Sequence, residues 1–276
     1  MNGWNATKII ALLKECGDIA MQYYENPPFE LKADHSVVTA ADKAIEQRLA
    51  LEFDHPEAGS YMIGEETIDT HNEAYIQAAF KGNAWVVDPI DGTAPYSIHC
   101  PLWGISIAYM EKLRIKEGAI FFPALGEMIY TDGPDSWLLT ADGKRVRYPF
   151  GSAPLNNSWP ISLSQSMIKN CDFTFSNHIV VWDSAVAVFA YLLRGRVLGY
   201  VANLKLWDVA ACLAFTERGE FVSRDYHGNS VSCNIGDSFY LDSESQKRWF
   251  LRNTTIFAAN NEALEYILNY TSEGKK

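Results

Sequence analysis

Apolar positions at Ile9, Ile10, Leu12, Leu13, Cys16, Ile19, Ala20 and Tyr23 recur at helical spacing, so the chain opens on an amphipathic helix. Asn26-Pro27-Pro28 would stop it. A second helix is expected after Thr39, with Ile45 and Leu49 on its apolar face. The run Tyr61-Met62-Ile63 predicts a short strand ending at Gly64-Glu65-Glu66, and 72–80 predicts a helix. Buried strands are expected at 84–87 and 105–110, then a strand pair at 118–123 and 127–131 around Pro123-Ala124-Leu125-Gly126. Further on, the pattern predicts a helix at 184–193 ended by Arg194-Gly195, a strand at 197–201 and a helix opening at Trp207-Asp208. A strand at 255–259 and a helix at 261–270 close the series, and the tail 271–276 is expected to fray. Polar, loop-like composition over 141–159 marks a boundary between two lobes. The expected division is an N-terminal α+β lobe, 1–145, and a C-terminal α/β lobe, 146–276. Strands alternating with helices indicate a layered α/β architecture.

Composition narrows the function classes. The 276 residues are 48% hydrophobic, in keeping with a globular protein, and carry a formal net charge of -11. Such an acidic chain is a poor partner for a nucleic-acid backbone or an anionic membrane. If it handles an anionic phosphate, it must bring cations into its site. The five cysteines (Cys16, Cys100, Cys171, Cys212, Cys233) form no C-x-x-C pair, which reads as isolated thiols in a cytoplasmic protein. No basic-then-apolar leader opens the chain, so no signal peptide is expected. No apolar run reaches membrane-spanning length. The plentiful Trp, Tyr and Phe fall at core-like positions and read as packing residues.

The chemistry concentrates in Trp85-Val86-Val87-Asp88-Pro89-Ile90-Asp91-Gly92-Thr93. Two carboxylates three residues apart at a strand end repel one another unless a cation neutralises them, and Mg²⁺ takes such hard oxygen ligands. Gly92 and Thr93 place backbone N–H groups and a hydroxyl beside that cation, which suits a phosphate. An ordinary turn with Asp caps would also account for Asp-Pro-Ile-Asp-Gly. Glu65, at another strand end, can reach the same ion or act as a base toward water, or can belong to a solvated acidic loop. Val38-Thr39-Ala40-Ala41-Asp42 reads as a capping box, and Asp42 can in addition hold Thr93. Lys32 is a phosphate contact or a surface lysine. Asp208, in the first turn of a helix, is favoured by the macrodipole alone or serves as a ligand from the second lobe.

These motifs resemble those of the inositol monophosphatase family, within the superfamily of lithium-sensitive, Mg²⁺-dependent phosphatases. Gly64-Glu65-Glu66, Asp88-Pro89-Ile90-Asp91-Gly92-Thr93 and Trp207-Asp208-Val209-Ala210-Ala211 stand in the family's order, and Val38-Thr39-Ala40-Ala41-Asp42 is similar to its upstream motif. The resemblance implies a five-layered αβαβα sandwich of the sugar-phosphatase type, usually a homodimer. It implies one Mg²⁺ on Glu65, Asp88 and the Ile90 carbonyl, a second on Asp88, Asp91 and Asp208, and a looser third by Glu65. Glu65, Thr93 and Asp42 would be catalytic, and the N–H groups of Gly92 and Thr93 would hold phosphate.

The alcohol side departs from the family. Asp183-Ser184-Ala185 stands where the family usually has a glycine followed by Ser or Thr and Ala, Val201-Ala202 falls near a usual glutamate, and Leu198 replaces an aspartate. Asp183, Ser184, Ala185, Asn203 and Lys205 are therefore the expected substrate contacts, and myo-inositol 1-phosphate is not the expected substrate. The expected activity is Mg²⁺-dependent hydrolysis of a small phosphorylated alcohol, such as an inositol monophosphate-like or sugar phosphate. The alternatives are a histidinol-phosphate phosphatase, weakly suggested by 101–104 and 204–208, a 3′-phosphoadenosine nucleotidase, and a non-catalytic protein that binds a phosphorylated ligand.

Overall fold

The computed structural model describes residues 1, 3–25, 29–31 and 37–273. The expected helix stop at 26–28, Lys32 and the end of the tail at 274–276 lie outside the described residues.

The two large sheets alternate with three layers of helices, as the layered α/β reading requires. The outer helices Ala6–Tyr24 and Ala40–Phe53 pack on one face of a seven-stranded sheet built from Ser60–Gly64 through Arg145–Arg147. On its other face lie the helices Glu73–Lys81, Ala185–Leu193 and Leu206–Arg218. A five-stranded sheet follows, formed by strands between Ile161 and Ala258, and the helices Gln165–Asn170 and Asn261–Tyr270 cover its far side.

The strand Asn83–Asp91 shows why the sequence reads as buried there. Its side chains alternate between faces, and both faces are covered. Trp85 and Val87 join the core under the two outer helices, while Ala84 and Val86 join the core shared with the middle helices. Trp85 stacks on Phe53 with ring centroids 4.1 Å apart, which fixes the Ala40–Phe53 helix against the sheet.

Close approach positions the Leu206–Arg218 helix. A Cβ on Gly118 would lie 2.5 Å from the Ala211 carbonyl oxygen, so the helix backbone rests directly on the sheet. Small Ala210 and Ala211 supply the matching helix surface, both buried.

Two expectations change. The segment Thr271–Glu273 does not fray but pairs antiparallel with Cys171–Phe173. Thr271 Oγ1 donates to the Ile267 carbonyl, tying this strand back to the preceding helix. Within the polar stretch 141–159, Arg145–Arg147 forms the seventh strand of the large sheet. Its side chains are all exposed, so hydrophobic alternation carried no signal of it. The five cysteines are free thiols. Among the described residues no helix is long and apolar enough to cross a membrane.

Candidate active site

A bulge solves the geometry of the two aspartates. In a regular strand, residues three apart point to opposite faces. Here Asp88 pairs with Ser106 and Asp91 with Gly104, so three steps on one strand oppose two on the other. The extra residue lies in the Pro89-Ile90 stretch, where proline has no N–H to contribute to the ladder. The kink re-aims Asp91, and both carboxylates line one cavity. Glu65 enters from the parallel neighbour: Gly64 pairs with Val87, and the Glu65 N–H reaches the Val87 carbonyl at 3.4 Å. Asp208 arrives from the first turn of the Leu206–Arg218 helix, where its Oδ2 accepts from the Lys205 N–H at 2.9 Å.

The cavity measures about 570 Å³ and is lined by Glu65, Asp88, Ile90, Asp91, Gly92, Thr93, Ser184, Ala185 and Asp208 among others. Its floor is strongly acidic. Burial pushes the Asp88 carboxyl well above the carboxylate range, and repulsion from Glu65, Asp91 and Asp208 adds to this. Asp91 is raised by burial and then by Asp208, against the pull of its hydrogen bonds from Ser184 and the Val186 N–H. Asp88 Oδ1 and Asp91 Oδ1 are buried with no hydrogen-bond partner.

Unpartnered buried carboxylate oxygens facing further acids are the donor set a hard divalent cation neutralises. Among the described residues no group of three or more His, Cys, Asp or Glu side chains forms a metal-binding cluster. Mg²⁺ does not need one, because it is commonly held by one or two carboxylates and keeps several waters. The residues present fit Mg²⁺.

Thr93 sits beside this floor at the start of the short helix Thr93–Ser97, with Gly92 at φ 91° before it. Thr93 Oγ1 lies 3.0 Å from the Ile90 carbonyl and 3.3 Å from Asp42 Oδ1. Its one proton goes to one of them, and the remaining lone pair stays available. Asp42 is fully buried and closes the expected capping box: its Oδ2 accepts from the Thr39 N–H at 2.8 Å and the Thr39 hydroxyl at 2.5 Å. Burial pushes its carboxyl up to about 7, against those hydrogen bonds.

The residues expected to meet the alcohol divide. Asp183, Ser184 and Ala185 line the cavity; Asn203 and Lys205 are not among its lining residues. The Lys205 ammonium lies over the Trp207 and Phe250 rings, at 5.4 and 5.6 Å from their centroids. Asp183 is exposed, has φ 54°, and accepts from Gln165 Nε2 at 3.2 Å. Among the lining residues that escaped the sequence reading are Gln165, Lys169 and Trp182. They sit on a short helix and a loop without periodic pattern. Buried Glu46 was also missed; its signal was a second acid four residues after Asp42, on the same helical face.

The model of the inositol monophosphatase family matches residues 5–275. An uncharacterized protein, y4fL, of Sinorhizobium fredii is 31% identical over 66% of this chain and 64% of its own length. A Nus factor SuhB of Pasteurella multocida is 24% identical over 83% of this chain and 85% of its own. An inositol-1-monophosphatase of Mesorhizobium japonicum is 26% identical, covering 72% and 76%. A crystal structure of an IMPase/NADP phosphatase with Mg²⁺ and phosphate superposes with a TM-score of 0.75 at 17% identity, over 96% of this chain and 93% of that one. Family and relatives together support a phosphatase.

Proposed function

The chain belongs to the inositol monophosphatase family, and we propose that it is a Mg²⁺-dependent phosphomonoesterase acting on a small phosphorylated alcohol. The observation that carries this reading is the meeting of Glu65, Asp88, Asp91 and Asp208, from three separate elements, in one cavity beside Gly92 and Thr93.

Glu65, Asp88, the Ile90 carbonyl, Asp91 and Asp208 would hold Mg²⁺, with two ions and a looser third in the full site. Mg²⁺ there would supply Lewis acidity toward the phosphoryl group and the attacking water. The protein's own part is to position and to move protons. The N–H groups of Gly92 and Thr93 orient the phosphate. Thr93 Oγ1, its proton directed to Ile90 or Asp42, offers a lone pair to the attacking water, and Glu65 accepts that water's proton. Asp42 fixes the Thr93 rotamer. Asp183, Ser184 and Ala185 meet the departing alcohol, and the Lys205 backbone N–H holds Asp208 Oδ2. The same reading carries a cytoplasmic homodimer.

The test is inorganic phosphate release with Mg²⁺ across a panel of esters: inositol phosphates, sugar phosphates, histidinol phosphate and 3′-phosphoadenosine compounds. Hydrolysis of one group, abolished in Asp91→Asn, supports the reading. Phosphate-ester binding without release from any of them would leave a ligand-binding protein instead.

A further inference from the structure

Glu46 has no role in the chemistry above, yet its carboxylate is 1% exposed and lies directly beneath the Glu65 turn. We infer that Glu46 is the positioning residue for Glu65, acting as a buried peg that fixes the backbone on which Glu65 is carried.

Three observations carry this. Glu46 Oε2 accepts from the Glu66 N–H at 2.9 Å. Its Oε1 accepts from the Thr67 hydroxyl at 2.5 Å. A Cβ on Gly64 would lie 2.2 Å from Glu46 Oε1 and 2.6 Å from its Cδ, so the carboxylate occupies the space a side chain at 64 would need. The peg therefore touches residues 64, 66 and 67 and brackets Glu65 on both sides.

The helix Ala40–Phe53 ties the two positioning groups together. Asp42 and Glu46 are four residues apart, so they project from one face. Asp42 reaches Thr93 and Glu46 reaches the Glu65 turn. One rigid element thus sets the separation of the two groups assigned to the attacking water. Backbone held by hydrogen bonds to a packed helix is the means by which a ligand is kept within fractions of an ångström of its working position.

The inference rests on the assignment of Glu65 to the metal, and its experiment reads metal directly. Binding of Mn²⁺ to the full chain is followed by the electron paramagnetic resonance signal of the free ion, with a thermal melt of each variant. Glu46→Ala removes both acceptors. Glu46→Gln keeps them in another form: its Oε1 accepts from Glu66 N–H, and its Nε2 donates to Thr67 Oγ1, whose hydroxyl turns to accept. The expected result is a Mn²⁺ dissociation constant at least 10-fold weaker in Glu46→Ala and within 3-fold of wild type in Glu46→Gln. In a Glu65→Ala background, Glu46→Ala should add less than 2-fold. A residue that only supports the fold would lower the melting temperature and the number of binding-competent molecules, with their dissociation constant unchanged; that outcome overturns the inference. So does full additivity with Glu65→Ala, or a wild-type chain that binds no Mn²⁺. A chain that binds Mn²⁺ with this pattern but hydrolyses no ester refutes the phosphatase reading and supports the role of Glu46.

Discussion

Asp91 Oδ2 accepts the backbone N–H of Val186 at 3.0 Å, joining a carboxylate of the large sheet to the first turn of the Ala185–Leu193 helix. The helix N-terminus offsets part of the charge that burial and Asp208 oppose. It also brings Asp183 and Ser184 to the cavity: a Cβ on Gly92 would lie 2.7 Å from Ser184 Cβ. The proposed phosphate perch at Gly92 and the proposed alcohol wall at Ser184 are thus one packed contact.

Asp91→Asn should separate chemistry from stability. The amide oxygen keeps the Val186 hydrogen bond, while one buried anion disappears. Activity should fall about 100-fold or more, the scale of losing a preorganised electrostatic group. Without metal, the melting temperature should stay or rise, because breaking up a cluster of like buried charges relieves repulsion. Steady-state kinetics and a melt in chelator check both halves.

The buried acids set a pH dependence. Asp42 and Glu46 are each raised to about 7 by burial, so between the unfolded carboxylate range near 4 and about 7 the folded chain binds more protons than the unfolded one. The metal-free protein should therefore lose stability as pH rises through that window. Asp88 and Asp91 act in the same direction. In the proposed site Mg²⁺ would bind the deprotonated carboxylates, so its stabilising effect should be larger at pH 8 than at pH 5.5. Melts at both pH values, with and without Mg²⁺, measure it; an equal Mg²⁺ effect at both would refute it.

Asp183 is a non-glycine residue in the left-handed region, at φ 54°. Aspartate is tolerated there more readily than most side chains, and backbone of this kind clusters at functional sites. Asp183→Gly keeps the backbone conformation, since glycine adopts the left-handed region freely. Relative kcat/KM values across the ester panel should change. An unchanged profile would remove Asp183 from alcohol recognition.

Gly118→Ala should push the Leu206–Arg218 helix off the sheet, since the added Cβ meets the Ala211 carbonyl oxygen at 2.5 Å. Overpacking of this kind costs about 1–3 kcal/mol. Because that helix carries Asp208, Mg²⁺ affinity should weaken along with stability. Denaturant unfolding together with a Mg²⁺ titration of activity tests the pairing.

Legibility followed the chemistry. Asp88, Asp91, Glu65 and Asp208 could be read because each sits at the edge of an element whose apolar pattern is strong, such as 84–87 or 206–218. The capping box at Thr39 and Asp42 was equally local. What the sequence could not give was the bulge at Pro89-Ile90, which decides that both aspartates face one cavity. Glu46 stayed hidden because its partners, Glu66 and Thr67, are about twenty residues away, and burial of a glutamate leaves no periodic mark. Gln165, Lys169 and Trp182 come to the cavity through tertiary packing alone.

Anomalous diffraction from a crystal soaked in Mn²⁺ and phosphate tests the central claim most directly. The account predicts metal peaks within coordination distance of Glu65, Asp88, Asp91 and Asp208, with phosphate against the Gly92 and Thr93 N–H groups. A cavity that takes up phosphate with no manganese at those carboxylates would contradict it.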